Sequence, residues 1–297
     1  MSRRAEKRRA RAVTPAFLRS WPLPKPAPNS DKNSRGTILV AGGSALVPGG
    51  LILAGLASLR AGAGKLQLAA PRSVATPVSI AVMEALVSPL SESRGGSPGK
   101  AAGREMRTLD DSADAILIGP GMIGESDAAA FTSMYLADAP ERPLVIDAAC
   151  LGKLKMSRPL GPNVVLTPHA GEMSAMLGIS KEKVEGSLQQ CALEVSAKLG
   201  AVVVMKSSTT FIATPSDLFR YDAGAVGLAT SGSGDVLAGI IAGLLARGIP
   251  TDQAAVWGVA IHGAAGNALA RRVAPIGFLA RELLDEIPRA MARAAGR

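Results

Sequence analysis

Short apolar runs recur along most of the chain, and most of them are followed by glycine, proline or a polar residue. Runs of this length indicate buried parallel strands. Between several of them the apolar positions follow a helical spacing, which indicates βαβ units with right-handed crossovers. The predicted strands are residues 37–41, 65–69, 115–118, 144–146, 163–166 and 201–205.

The remaining pattern predicts a hairpin followed by helices. The hairpin pairs residues 209–213 with 218–221, around Pro215 and Asp217. The predicted helices are residues 50–61, 126–137, 235–246, 252–271 and 279–291. Together these elements predict an α/β fold: a mostly parallel central sheet flanked by helices on both faces, with a helical C-terminal part. We expect one folded domain over residues 36–297.

Residues 1–35 are basic and rich in proline, and they predict a partly disordered arm. The chain has 33 Lys and Arg against 24 Asp and Glu, a net charge of +9. Six of the basic residues and only one acidic residue fall within the first twelve positions. A solvated arm explains this charge without a nucleic-acid partner, because no aromatic residues alternate with the basic ones.

Composition excludes several other classes. With 47% hydrophobic residues, the chain can bury a large core, but no apolar run of about 18 residues is free of charge. The basic start lacks the apolar segment of a secretory signal. Cys150 and Cys191 have no partner at metal-ligand spacing and are interpreted as reduced packing residues. We therefore expect a cytoplasmic protein that does not enter a membrane and has no metal site of its own.

Glycine and polar residues follow the predicted strands, where ligands bind in doubly wound sheets. Any one of these glycines could merely make a turn, but their coincidence at one edge predicts a binding site. They are Gly42-Gly43-Ser44, Gly119-Pro120-Gly121, Asp147, Thr167-Pro168-His169 and Lys206.

The most specific motif is Thr230-Ser231-Gly232-Ser233-Gly234-Asp235, directly before an apolar helix. Glycines let backbone N–H groups surround an anion, and the helix N-terminus adds partial positive charge. Asp235 could simply cap the helix. A carboxylate beside a phosphate site is also suited to accept a proton from an attacking hydroxyl, and we favour this catalytic role.

These motifs, together with Gly171-Glu172 and Val204-Met205-Lys206, occur in the order found in ADP/ATP-dependent NAD(P)H-hydrate dehydratases, which have a ribokinase-like fold. The similarity runs from about Gly36 to about Pro288. It implies a stand-alone dehydratase, without the epimerase domain that many bacterial relatives carry. The implied reaction dehydrates the S form of NADH hydrate or NADPH hydrate while ADP, or ATP, with Mg²⁺ is consumed; ADP gives AMP and phosphate. It also implies a homo-oligomer, a tetramer in relatives.

The resemblance also implies roles for single residues. The substrate-binding positions are Gly50, Gly121, His169 and Asp235, and Asp235 is also the catalytic residue. The nucleotide-binding positions are Lys206, Ser207, Ser208, Thr209, Thr210, Gly232, Ser233 and Gly234. His262, inside an apolar helix, is interpreted as structural.

This chain departs from the family pattern at three positions. Gly50 stands where relatives usually have Ala, Ala149 where they have a second Asp, and Ser207 where they have Gly. The alternative function is a related small-molecule kinase for a vitamin or thiazole alcohol, since it would share the fold, the anion site and the aspartate base.

Overall fold

A ten-stranded sheet runs through the protein. The computed structural model describes residues 9–138, 141–152, 154 and 156–294. The strands are β1 (Arg11–Ala12), β2 (Thr37–Ala41), β3 (Lys65–Pro71), β4 (Ala85–Leu90), β5 (Ala115–Ile118), β6 (Leu144–Ile146), β7 (Val164–Leu166), β8 (Val202–Met205), β9 (Thr210–Ala213) and β10 (Leu218–Tyr221). Their order is β1-β10-β9-β8-β7-β6-β5-β2-β3-β4. Only β9 runs against its neighbours, β8 and β10.

Helices cover both faces of this sheet. They are α1 (Pro15–Ser20), α2 (Gly49–Arg60), α3 (Arg72–Ala81), α4 (Lys100–Leu109), α5 (Glu125–Tyr135), α6 (Ala170–Leu177), α7 (Lys181–Glu185), α8 (Leu188–Leu199), α9 (Ser233–Ala246), α10 (Thr251–Arg272) and α11 (Ala280–Ala294). One core lies between the sheet and the face formed by α2, α9, α10 and α11. A second core lies under α4, α5, α6 and α8. The predicted fold class is confirmed. Within the described residues, no helix is long and apolar enough to cross a bilayer.

The predicted strands and the hairpin are confirmed within about one or two residues, but β4 was not predicted. Its sequence contains Ser88 and Pro89 and lacks the continuous apolar pattern of the other strands. β4 is one of the two edge strands of the sheet, and proline is tolerated there because one side of an edge strand makes no ladder hydrogen bonds. The pattern therefore identified the buried strands better than the edge.

Two glycines bring α9 unusually close to α2. A Cβ on Gly239 would lie 2.2 Å from the Ala54 carbonyl oxygen, and one on Gly243 would lie 2.4 Å from the carbonyl oxygen of Ser58. Any side chain at either position would force the two helices apart. The contact holds α9 rigidly, and the start of this helix is thereby fixed at the sheet edge that carries the glycine loops.

The described part of the N-terminal arm packs against the folded domain. Arg11 and Ala12 pair with β10, and Leu18 of α1 is buried in the same core as the rest of the protein. Trp21 stacks on Phe219. Residues 1–8 lie outside the described residues. The sequence pattern does not reveal this packing, because the arm is charged and rich in proline and contains only a few apolar residues that anchor it.

Removing residues 1–24 should therefore destabilise the fold. The carbonyl oxygen of Trp21 accepts hydrogen bonds from Nε1 of Trp257 at 2.8 Å and Nε2 of Gln253 at 3.1 Å. The deletion leaves these buried donors unpaired and uncovers Phe219, so the free energy of unfolding should fall by about 3 kcal/mol or more. Urea unfolding measures this loss of free energy. A variant that lacks only residues 1–8 is the control, and equal stability of both truncated proteins would contradict the anchoring role.

Candidate active site

The residues that follow the central strands meet at one edge of the sheet. Lys206 follows β8, Thr167 follows β7, Asp147 follows β6 and Gly119 follows β5. These four strands are consecutive neighbours and parallel, so their carboxyl ends share one edge. The convergence predicted from the sequence is confirmed.

A buried ion pair lies at the centre of this edge. Nζ of Lys206 is 2.9 Å from Oδ1 of Asp147 and 3.7 Å from Oε2 of Glu172. The Thr167 hydroxyl donates to the same Asp147 oxygen at 2.6 Å. Burial alone would lower the pKa of Lys206, but the carboxylates of Asp147 and Glu172 raise it above its usual value. Lys206 is therefore a permanent cation held in one position.

Asp235 lies in the first turn of α9, close to both predicted glycine positions. The N–H of Gly121 lies close enough to the Asp235 carboxylate to lower its pKa. A Cβ on Gly50 would lie 3.0 Å from Oδ1 of Asp235 and 2.6 Å from the nitrogen of Gly121. Gly50, Gly121 and Asp235 thus form one cluster. Asp235 is the third residue of α9, after the N-cap Gly232, so it does not occupy the position from which a side chain usually caps a helix.

The electrostatic surroundings of Asp235 make it a group that titrates near neutral pH. Burial and the nearby Asp147 carboxylate raise its pKa to about 7, although Lys206 and the Gly121 N–H act in the opposite direction. An ordinary aspartate titrates near pH 4. A carboxylate with this pKa can both accept and return a proton at physiological pH.

A cavity of about 560 Å³ opens beside this cluster. Its polar wall combines most of the predicted nucleotide-binding positions with His169: Lys206, Ser207, Ser208, Thr210, Ser233 and Gly234. Tyr221, Leu228 and Val259 contribute to an apolar wall. Thr209 precedes β9, and Gly232 is the N-cap of α9 with φ 86°; neither lines the cavity. The cavity thus offers a charged end and an apolar end.

His169 caps a helix and also lines this cavity. Its Nδ1 accepts hydrogen bonds from the N–H groups of Gly171 and Glu172 at 3.0 and 3.2 Å, and Glu172 in turn accepts from the His169 N–H at 2.8 Å. This arrangement is a capping box at the start of α6. Because Nδ1 is an acceptor, the neutral ring carries its proton on Nε2, which lies 3.5 Å from Oε1 of Glu172.

Sequence reasoning assigned no ligand-binding or catalytic role of their own to three residues of this site. Asp147 and Glu172 hold Lys206, and His262 lies 2.9 Å from the Ser233 hydroxyl. The sequence places Asp147 directly after a strand, at the predicted binding edge, but it does not show that the carboxylate pairs with Lys206. The signal for His262 was weak, since one histidine in an apolar helix is usually a packing residue.

The architecture and the position of the site define the class of protein. A solved structure of a ribokinase-like superfamily protein from Enterococcus faecalis superposes with a TM-score of 0.81 at 27% identity, and the match covers 97% of both chains. The protein therefore has the ribokinase-like fold, with its candidate site at the carboxyl ends of the parallel strands.

The family follows from the sequence comparison. The model of a family described as NAD(P)H-hydrate dehydratase matches residues 38–289, and the chain belongs to this family. It is 47% identical to the ADP-dependent (S)-NAD(P)H-hydrate dehydratase of Xanthomonas campestris over 94% of this chain and 96% of that protein. The ADP/ATP-dependent NAD(P)H-hydrate dehydratase from Bacillus subtilis, co-crystallised with ATP/Mg²⁺, superposes with a TM-score of 0.84 at 29% identity, covering 96% and 99% of the two chains.

Proposed function

We propose that the protein is an ADP-dependent NAD(P)H-hydrate dehydratase that restores NADH or NADPH from the S form of the hydrate. The observation that carries this proposal is Asp235, a carboxylate with a pKa of about 7 at the start of a buried helix. It lies near the ammonium group of Lys206, which Asp147 holds in place, and near a cavity large enough for a nucleotide. Family membership agrees with it. The site supplies a base, a cation and an anion-binding turn in one place.

The chemistry of the hydrate explains why a nucleotide is needed. Water has added across a ring double bond, which leaves a hydroxyl on the carbon next to the ring nitrogen, and hydroxide is a poor leaving group. Attack of this hydroxyl oxygen on the terminal phosphorus of ADP breaks the bond to AMP and leaves a phosphate ester. The nitrogen lone pair then expels phosphate, and loss of a proton from the adjacent ring carbon restores the double bond.

The residues of the site divide this work. Asp235 accepts the hydroxyl proton as the oxygen attacks. Gly50 and Gly121 bring backbone close to that carboxylate and would contact the substrate there, and His169 offers its Nε2–H as a donor. Residues 206–210 and the turn of Gly232, Ser233 and Gly234 bind the nucleotide, with N–H groups and the Lys206 ammonium stabilising charge on the transferred phosphoryl group.

Mg²⁺ is part of this proposal as a companion of the nucleotide. Asp147 and Glu172 offer the oxygen ligands that Mg²⁺ prefers, but Lys206 and the His169 N–H already engage them. We therefore assign the ion mainly to the nucleotide phosphates, where it would neutralise charge during transfer.

An absorbance assay with purified hydrates tests the proposal against the kinase alternative. Dihydronicotinamide absorbance should return when ADP or ATP is supplied with Mg²⁺, and AMP and phosphate should form when ADP is used. A stable phosphate ester of a vitamin or thiazole alcohol, with no recovery from either hydrate, would favour the kinase. Separate reactions with the two nucleotides decide which one this protein prefers.

The raised pKa of Asp235 predicts a pH-dependent rate. The base acts only when ionised, so kcat/KM for the hydrate at saturating ADP should rise about tenfold per pH unit below pH 7 and become constant above it. An unshifted aspartate would already be ionised at pH 5. A rate that stays constant between pH 5 and pH 8 would contradict the shift, provided that the melting temperature shows the protein folded throughout.

We further propose a cytoplasmic homotetramer. The family resemblance implies this assembly, and the edge around β4 exposes Ile80, Met83 and Leu86, which a contact between copies would cover. Light scattering coupled to size-exclusion chromatography measures the mass directly. A monomer at micromolar concentration would contradict the assembly.

A further inference from the structure

A partly buried hydrogen bond joins the glycine turn to the neighbouring helix. Ser233 is the first residue of α9 and is only 4% exposed. Its Oγ lies 2.9 Å from Nε2 of His262, in the middle of α10. Both residues line the cavity beside Lys206 and Gly234. The pair therefore lies where the proposed function puts the phosphates of the nucleotide.

The surroundings keep His262 neutral. Burial, together with the charge of Lys206, lowers its pKa to about 4, although the nearby backbone of Ser233 acts in the opposite direction. A neutral imidazole has one N–H and one acceptor nitrogen, and a serine hydroxyl has one proton. The geometry of the pair therefore allows two arrangements of these protons.

The two arrangements present different groups to an anion. If the Ser233 hydroxyl donates to Nε2 of His262, only oxygen lone pairs face the cavity, and they repel a phosphate. If Nε2–H donates to Oγ, the hydroxyl proton is free to donate to a phosphate oxygen. A hydrogen bond to a charged oxygen is roughly twice as strong as a neutral one, so a bound phosphate selects the second arrangement.

We infer that His262 is a positioning residue for the nucleotide: it donates from Nε2 to Ser233 and so directs the serine hydroxyl proton at a phosphate oxygen. The inference rests on the proposed function and adds a role for a side chain in the helix behind the anion-binding turn. His262 acts through Ser233 and needs no contact with the phosphate itself. Its identity should therefore matter for phosphate-bearing ligands and not for the nucleoside.

A double-mutant cycle measured by calorimetry tests this arrangement. The variants are Ser233→Ala, His262→Phe and their combination, each titrated with ADP and with adenosine. Ser233→Ala and His262→Phe should each weaken ADP binding roughly ten- to hundredfold, the usual effect of losing a hydrogen bond to a charged group. The affinity for adenosine should stay within about twofold. In the Ser233→Ala protein, the additional His262→Phe change should have almost no effect.

A conservative variant keeps the test independent of folding. The side-chain amide of glutamine can donate from nearly the same place as Nε2, so His262→Gln should bind ADP within about threefold of the unsubstituted protein. If His262→Phe weakens the binding of ADP and of adenosine equally, His262 acts only as a packing residue. Independent, additive losses in the cycle would show direct contact with the ligand. Either of these results overturns only the inference about His262. If the unsubstituted protein does not bind ADP at all, the proposed function is overturned as well.

Discussion

Turnover of the hydrate should fall roughly a hundred- to ten-thousandfold when Asp235 is replaced by Asn, the range that a general base contributes. Asn keeps the size of the side chain and still presents an acceptor oxygen to the nearby Gly121 N–H, but it cannot take up a proton. The fold should persist, and the affinity for ADP should change little. Single-turnover rates and the melting temperature of the same protein preparation measure both effects.

Asp252→Asn is the matched control for this change. Asp252 lies in the first turn of α10, so the control removes the same charge from a comparable helix position outside the cavity. It should retain nearly normal turnover. Near-normal turnover of Asp235→Asn at normal stability would eliminate the base role. In addition, the rate that remains in Asp235→Asn should lose its dependence on pH around 7.

Replacing Lys206 with Met should affect both binding and stability. The ammonium group is 2.9 Å from the buried Asp147 carboxylate, and its removal leaves Asp147 without a countercharge. Loss of one partner from a buried pair typically costs about 3 to 5 kcal/mol, and we expect the free energy of unfolding to fall by about 3 kcal/mol. ADP affinity should fall about a hundredfold, because the charged end of the cavity loses its cation.

The same change should also move the pH profile. Lys206 lowers the pKa of Asp235, so without it that pKa should rise above 7 and the rate should reach its plateau at a higher pH. Lys198→Met is the control: its ion pair with Glu194 is about half exposed on both sides, and such surface pairs contribute at most about 1 kcal/mol. Unchanged ADP affinity and an unchanged pH profile in Lys206→Met would contradict the role of Lys206.

The buried strands could be predicted because their signal is local. A strand covered by helices on both faces is apolar at every position, as in β5, β7 and β8, and the turn that follows it contains glycine or a polar residue. The motif from Gly232 to Asp235 is local as well, since its glycines and the adjoining apolar helix follow one another in the chain. These signals were sufficient for the fold class, the edge of the site and the proposed base.

Contacts between distant segments could not be predicted from such patterns. The carbonyl oxygen of Trp21 anchors the N-terminal arm to Trp257 of α10. Ser233 contacts His262 because α9 and α10 pack side by side. A charged, proline-rich segment looks solvated until a groove that accepts its few aromatic residues is known. Likewise, a histidine in an apolar helix looks structural until the hydroxyl opposite it is known.

The sequence by itself therefore determined the order of the strands along the chain and the chemical groups at their ends. Only the tertiary structure decided which groups act on one another, because the lateral order of the strands brings β6, β7 and β8 together and so places Asp147, Thr167 and Lys206 in contact. The pKa of Asp235 depends on that arrangement. Burial and a neighbouring carboxylate raise it, and both are properties of the folded protein rather than of an aspartate in a glycine motif.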